Sequence, residues 1–305
     1  MNKKGALLQI LISSGTYLFI TRDEYVRALL EVLPASSENE ECPRYEKVVS
    51  DSLLDIKSVA NVPVTTEYSS PELETGTLAY YRIKGLVTSD SPWFFSTRQF
   101  EKELLSAEAN PAISCHFIHI SSGGGEAWYL DRLSETMRSL GKPIYVLIDK
   151  TCGSAAYYIA CHGKVVKCLT QNDTVGCIGT MVCFWDISPY LESLGFRKIE
   201  EYATISDLKN KKFNDLLAGK PEQYIREELD PLAEQFRGEV RDSRAALAAL
   251  PLDHPVLRGE TYSGMNAIGA GLTDGLVVMA DAFQEAYALG KDYTDKHRNK
   301  ILSFI

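Results

Sequence analysis

The chain has 305 residues, 45% hydrophobic and 24% charged, a length that holds one large domain or two ordinary ones and can bury a sizeable core. Its 32 lysines and arginines face 41 aspartates and glutamates, a net charge of −9, which argues against a broad phosphate-binding surface and so against nucleic acid as the main ligand. The seven cysteines are odd in number, lie mostly in apolar runs and include no C-x-x-C pair, so they read as reduced buried thiols of a cytoplasmic protein rather than a disulfide framework or a zinc site.

Met1-Asn2-Lys3-Lys4 and the apolar run from Ala6 to Ile20 have the outline of a signal peptide, but Gln9, Ser13, Ser14, Gly15 and Thr16 interrupt the run and no A-x-A site follows. The stretch also falls short of the ~20 residues of a membrane span, and nothing later approaches one, so a soluble cytoplasmic protein is expected. Asp23 to Leu33 spaces its apolar residues like one helical face, and Pro34 to about Glu74 is rich in Ser, Glu and Pro and reads as a linker. Residues 1–75 are thus taken as a helical extension and linker. From Gly76 the texture changes. Thr77 to Val87 reads as a strand, Ser96 to Ala107 as a helix, Ala112 to Ile120 as a buried strand, Glu126 to Leu140 as an amphipathic helix and Pro143 to Ile148 as a strand. This alternation predicts an α/β fold with a mostly parallel sheet. A small-residue helix from Ser154, a strand over Lys164 to Leu169, an apolar segment over Val175 to Phe184, a helix around Ile187 to Leu194 and a strand over Lys198 to Ala203 follow. The polar stretch Ser206 to Asn214 then breaks the rhythm, Pro221 to Leu250 reads as a long helix interrupted near Pro231, and Gly264 to Ala270 with a terminal helix close the core.

Ligand and catalytic groups of α/β domains sit just past the carboxyl ends of strands, and two such places stand out. After Ile120 comes Ser121-Ser122-Gly123-Gly124-Gly125, where three glycines allow a tight turn with N–H groups exposed at a helix start, able to hold an oxyanion or serve as a plain structural turn. After Ile148 comes Asp149-Lys150-Thr151-Cys152-Gly153-Ser154-Ala155-Ala156. Ser154 there enters a helix with only small residues beside it. A plain N-cap explains such a serine equally well, but the helix dipole and the Ala155 N–H also suit negative charge next to its hydroxyl. A nucleophilic serine needs a base. The histidines are His116, His119, His162, His254 and His297, and none is well placed for Ser154. The alternative is a lysine whose ammonium is shifted toward the neutral amine by burial; Lys209, Lys211 and Lys212 cluster in the segment that broke the rhythm, where an ordinary solvated basic patch is the competing reading.

Taken together these segments resemble the S49 family of serine peptidases, the group of signal peptide peptidase A and the phage capsid proteases, within the Clp/crotonase superfamily. The likeness runs from about Leu78 to Ala288. It rests on a first strand ending in Gly85, the Ser121 to Gly124 loop, the helix Gly153-Ser154-Ala155-Ala156-Tyr157-Tyr158-Ile159-Ala160, the turn Gly176-Cys177-Ile178-Gly179, and the closing Arg258-Gly259-Glu260-Thr261-Tyr262-Ser263-Gly264 with Gly271-Leu272-Thr273-Asp274. The resemblance implies a repeated ββα superhelix of mostly parallel sheets, a peptidase core over 76–288 and a C-terminal tail over 289–305. It implies Ser154 as nucleophile, Lys209 as general base, and the N–H groups of Gly124 and Ala155 as oxyanion hole, with Gly123 and Cys177 in support and no metal or other cofactor. Ser122 stands where the family has a proline, which is expected to loosen the turn, and Cys177 where it has a serine that orients the lysine. Lys211 and Lys212 stay open as rivals for the base.

The family's serine and lysine can come from different subunits, so a single-core chain is expected to work as a homo-oligomeric ring on polypeptide substrates. With no membrane span in view, the layout resembles phage and prophage members that process capsid and scaffold proteins, in the host cytoplasm or procapsid. A general cytoplasmic peptidase of signal-peptide fragments and oligopeptides, a non-catalytic capsid assembly component, and a crotonase-type acyl-CoA enzyme are the alternatives.

Overall fold

Runs of Val, Ile, Tyr and Phe bounded by Gly, Pro and Asn become the strands at the centre of the protein. The structure, a computed structural model, describes residues 18–20, 45–183, 186 and 188–302. Its strands are β1 (Leu18–Ile20), β2 (Val64–Thr65), β3 (Thr77–Thr88), β4 (Phe95–Ser96), β5 (Ile113–Glu126), β6 (Ile144–Gly153), β7 (Val165–Cys168), β8 (Thr174–Gly176), β9 (Thr261–Ser263) and β10 (Gly275–Leu276). They form one sheet with the path β10-β7-β6-β5-β3-β2, every neighbour along it parallel. This is the mostly parallel α/β architecture that the alternation implied. Only β1 on β5 and β9 on β8 pair antiparallel among the described strands.

Side chains of successive residues leave opposite faces of a strand, and β5 and β6 are apolar on both. One face carries Ile118, Ile120, Val146 and Ile148 into a core with the helices α2 (Thr97–Ala109), α3 (Leu130–Ser139) and α4 (Ala155–Ala160). The other carries Phe117, Tyr145 and Leu147 against α1 (Tyr45–Ala60) and the last helix (Met279–Leu302). There Phe283 of that helix stacks on Phe117 at 4.2 Å between ring centres. The open edge of β3 between β2 and β4 is closed by hydroxyls: Tyr68 donates to the Tyr80 carbonyl at 2.7 Å, while Tyr45 donates to the Arg82 carbonyl and accepts from the Lys84 N–H.

Several elements differ from the sequence reading. The segment read as a linker contains α1, whose Leu53, Ile56 and Ala60 are buried, and β2, which extends the sheet. The last helix runs unbroken through residue 288. β5 does not end at Ile120; it continues through the three glycines to Glu126. A Cβ placed on Gly125 would lie 1.9 Å from the Val87 carbonyl oxygen, so the glycine is there for close strand approach rather than for a turn. No strand forms over 198–203, where no partner strand lies alongside. A short helix, α5 (Ser188–Ser193), does form before it. The break foreseen at Pro231 is a π turn over Ile225–Leu229, followed by a helix over Asp230–Ser243 that has Pro231 in its first turn, where its missing N–H costs nothing. The helix expected at Asp23 to Leu33 lies outside the described residues. No described helix is long and apolar enough to cross a membrane.

Candidate active site

β6 ends at Gly153, and the next residue turns the chain straight into α4. Ser154 takes φ 54° and ψ −120° to do so, a conformation that costs a side-chain-bearing residue roughly 1–3 kcal/mol. Neighbouring contacts hold it there: its N–H donates to the Gly176 carbonyl at 2.8 Å and its carbonyl accepts from the Tyr158 N–H at 2.9 Å. The side chain does not cap the helix, so the plain N-cap reading fails. Its hydroxyl is buried and finds no oxygen or nitrogen partner among the described residues, only the neighbouring Cys177 thiol. Beside it lies the Cys177 thiol, itself on a left-handed residue (φ 56°) whose N–H is fixed to the Glu260 carbonyl at 2.9 Å. Burial pushes that thiol's pKa up, and the Ser154 hydroxyl pulls it the other way. Ala155 opens α4, so its N–H has no partner within the helix.

Across the strand from this turn, Ser122 of β5 is opposite Cys152 of β6. Ser122 does not loosen the glycine segment: its hydroxyl donates to the Gly85 carbonyl at 2.6 Å and accepts from the Gly124 N–H at 3.1 Å, stitching β5 to β3. That second bond engages the N–H expected in the oxyanion hole. Gly123 lies in the same strand, buried.

The lysines sit elsewhere. Lys209 follows a 3₁₀ turn over Thr204–Ser206 and is exposed, whereas Ser154 is buried, and no hydrogen bond joins the Lys209 amine to Ser154 Oγ. Lys211 pairs with Asp215 on α6 (Lys211–Leu217), and Lys212 with Glu228 at 2.6 Å and Glu227 at 3.2 Å. Lys209 has no such carboxylate partner among the described residues. The segment before it turns large apolar side chains outward: Ile199 is 76%, Ile205 94% and Leu208 73% exposed.

The histidines are all engaged away from Ser154. His119 stands between the Tyr80 hydroxyl (3.0 Å) and Asp149 (3.5 Å), which also pairs with Arg82 at 3.3 Å; burial lowers its pKa to about 4. His162 faces Glu239 at 3.3 Å, likewise lowered to about 4 by burial. His116 bridges Tyr81 and Glu108, His254 caps a 3₁₀ turn and His297 lies against Tyr293. The Tyr80–His119–Asp149–Arg82 chain behind the glycine strand was not foreseen; the i, i+2 spacing of Tyr80 and Arg82 on one strand was its only signal.

A parallel α/β core with a strained serine at a strand-to-helix turn is a scaffold of the hydrolase type. The profile of peptidase family S49 matches residues 136–292, just over half of the chain, and the chain belongs to that family. It is a peptidase by descent. Ser154, Cys177 and Lys209 fall inside the matched span, and the glycine strand precedes it. No curated protein matches the sequence. A crystal structure of an enoyl-CoA hydratase/isomerase family member aligns over 74% of this chain and 76% of its own at 14% identity and a TM-score of 0.42, too distant to bear on the chemistry.

Proposed function

We propose that the protein is a serine endopeptidase with a Ser154–Lys209 dyad completed between neighbouring copies of the chain in a homo-oligomeric ring. The observation that carries this is the Ser154 hydroxyl, held strained and buried at the end of β6 with no oxygen or nitrogen partner among the described residues, in a chain whose Lys209, unlike the ion-paired Lys211 and Lys212, has no carboxylate partner among the described residues and follows an outward-facing apolar segment. The lysine must act as a neutral amine, the form that burial under a neighbour favours. It takes the Ser154 hydroxyl proton as Oγ attacks a peptide carbonyl; the N–H of Ala155, and that of Gly124 once released from Ser122, hold the oxyanion. The ammonium then protonates the leaving amine, and water, giving its proton back to the amine, cleaves the acyl-enzyme. From the sequence resemblance we carry forward capsid or scaffold protein as the substrate, and the division of the chain near residue 75.

The test is a fluorophosphonate probe and an unfolded substrate applied to wild type, Ser154→Ala, Lys209→Ala and Lys211→Ala. Labelling and cleavage should vanish in the first variant, cleavage in the second, and neither in the third. The engaged Gly124 N–H favours a second reading, a non-catalytic assembly component; an assembled wild type that neither labels nor cleaves would establish it.

A further inference from the structure

The far end of β5 is built as a docking edge, and the chain occupies it itself. β6 accompanies β5 only as far as the Ser122–Cys152 pair and then turns away at Gly153 to present Ser154. Beyond that point β5 keeps β3 on one side, through Leu86–Gly124 and Val87–Gly125, and has a free edge on the side of the nucleophile. β1 fills that edge, antiparallel, with Ile20 opposite Gly124, Phe19 opposite Gly125 and Leu18 opposite Glu126. β1 also lies against α4, the helix that Ser154 opens. An extended peptide added to a sheet edge is held by main-chain hydrogen bonds that any sequence can supply, so whatever polypeptide is to reach Ser154 in extended form must compete for the edge of residues 124–126.

We infer that Leu18–Ile20 is a tethered strand occupying the place of an extended polypeptide ligand on the edge of β5, and that the N-terminal segment thereby competes with substrate for the nucleophile. The functional half of this rests on the peptidase reading, whereas the occupancy does not. Tethering gives the strand a high effective concentration at no cost in recognition. A strand that holds the edge about 90% of the time weakens apparent substrate binding about ten-fold.

The experiment compares the full wild-type chain with the double substitution Phe19→Pro, Ile20→Pro, which removes the N–H groups an added strand needs. Two quantities are read: hydrogen exchange in a peptide spanning residues 123–128, and the kinetics of cleavage of an unfolded reporter. The expected result is about ten-fold faster exchange in the variant and an apparent KM about ten-fold lower with kcat unchanged. A synthetic peptide of residues 14–26, added in trans to the variant, should restore both wild-type values. If the proline pair does not fold, Phe19→Gly, Ile20→Gly is read the same way. Equal exchange in wild type and variant overturns the occupancy, and altered exchange with an unaltered KM overturns the competition. Altered exchange in a chain whose Ser154 is not labelled by fluorophosphonate sustains the occupancy and instead removes the peptidase reading.

Discussion

The two halves of the proposed dyad are held in opposite ways. Ser154 sits at the end of a strand fixed in register on both sides, its backbone clamped by Gly176 and Tyr158 and its side chain buried. Lys209 stands on a stretch of turns with Ile199, Ile205 and Leu208 facing outward, and among the described residues its amine has no ion pair. Strain at Ser154 persists because the surrounding packing over-determines it; the lysine segment lacks that packing until something covers it. On the proposed function, a nucleophile built into the fold and a base supplied by assembly would make activity conditional on the oligomer.

The comparison breaks most visibly in activity. Ser154→Ala and Lys209→Ala should each cost about 10⁴-fold or more in kcat/KM, without a change in thermal stability for the lysine variant, whereas Lys211→Ala should stay within about three-fold because its amine serves a surface pair with little net energy. Gly125→Val tests the rigid half: a side chain has no room beside the Val87 carbonyl, so unfolding by denaturant should show a loss of about 3 kcal/mol. The reverse outcome is expected for Ile199→Asp with Ile205→Asp, where stability of the single chain should move by no more than about 0.5 kcal/mol while sedimentation shifts to smaller species and activity falls at least about ten-fold.

The rigid half should also respond to acid. His119 and His162 are neutral in the fold, with pKa values lowered to about 4 against an ordinary 6.5. In the unfolded chain both take up a proton below about 6.5, so stability is complete above that pH and declines as pH falls toward about 4. Denaturant midpoints measured across this window should flatten by about one proton's worth of slope when His162 is replaced by Phe. The smallest effect is reserved for Cys177→Ser, which exchanges a weakly bonding thiol beside Ser154 for a hydroxyl and should raise kcat by about two- to five-fold.

The same contrast decides what could be seen in the sequence. Buried strands announce themselves, and Thr77 to Val87 or Lys164 to Leu169 lie within a residue or two of β3 and β7. Ser154 was visible as a small-residue turn after an apolar run. The glycines misled, because Gly-Gly-Gly has no side-chain period and reads equally as a turn or, as at Gly125, as a strand pressed against its neighbour. α1 was hidden within a stretch judged by its Ser, Glu and Pro content, although Leu53, Ile56 and Ala60 have helical spacing. Ile199 looked like a strand residue because it is apolar; its exposure shows that an apolar run records burial, or the readiness for it, and not secondary structure. Neither the seating of β1 on β5 nor the separation of Lys209 from Ser154 has any local sequence signal, since both depend on residues more than 50 positions apart.

One measurement addresses the shared site directly. Ser154→Ala and Lys209→Ala chains, each inactive alone, are unfolded, mixed in equal amounts and reassembled, and cleavage of an unfolded reporter is compared with wild type treated identically. A site built from Ser154 of one copy and Lys209 of the next predicts recovery of about a quarter of wild-type activity, the fraction of neighbouring pairs in a randomly mixed ring that carry both intact residues. A mixture as inactive as its parents, in rings of wild-type size, would contradict it.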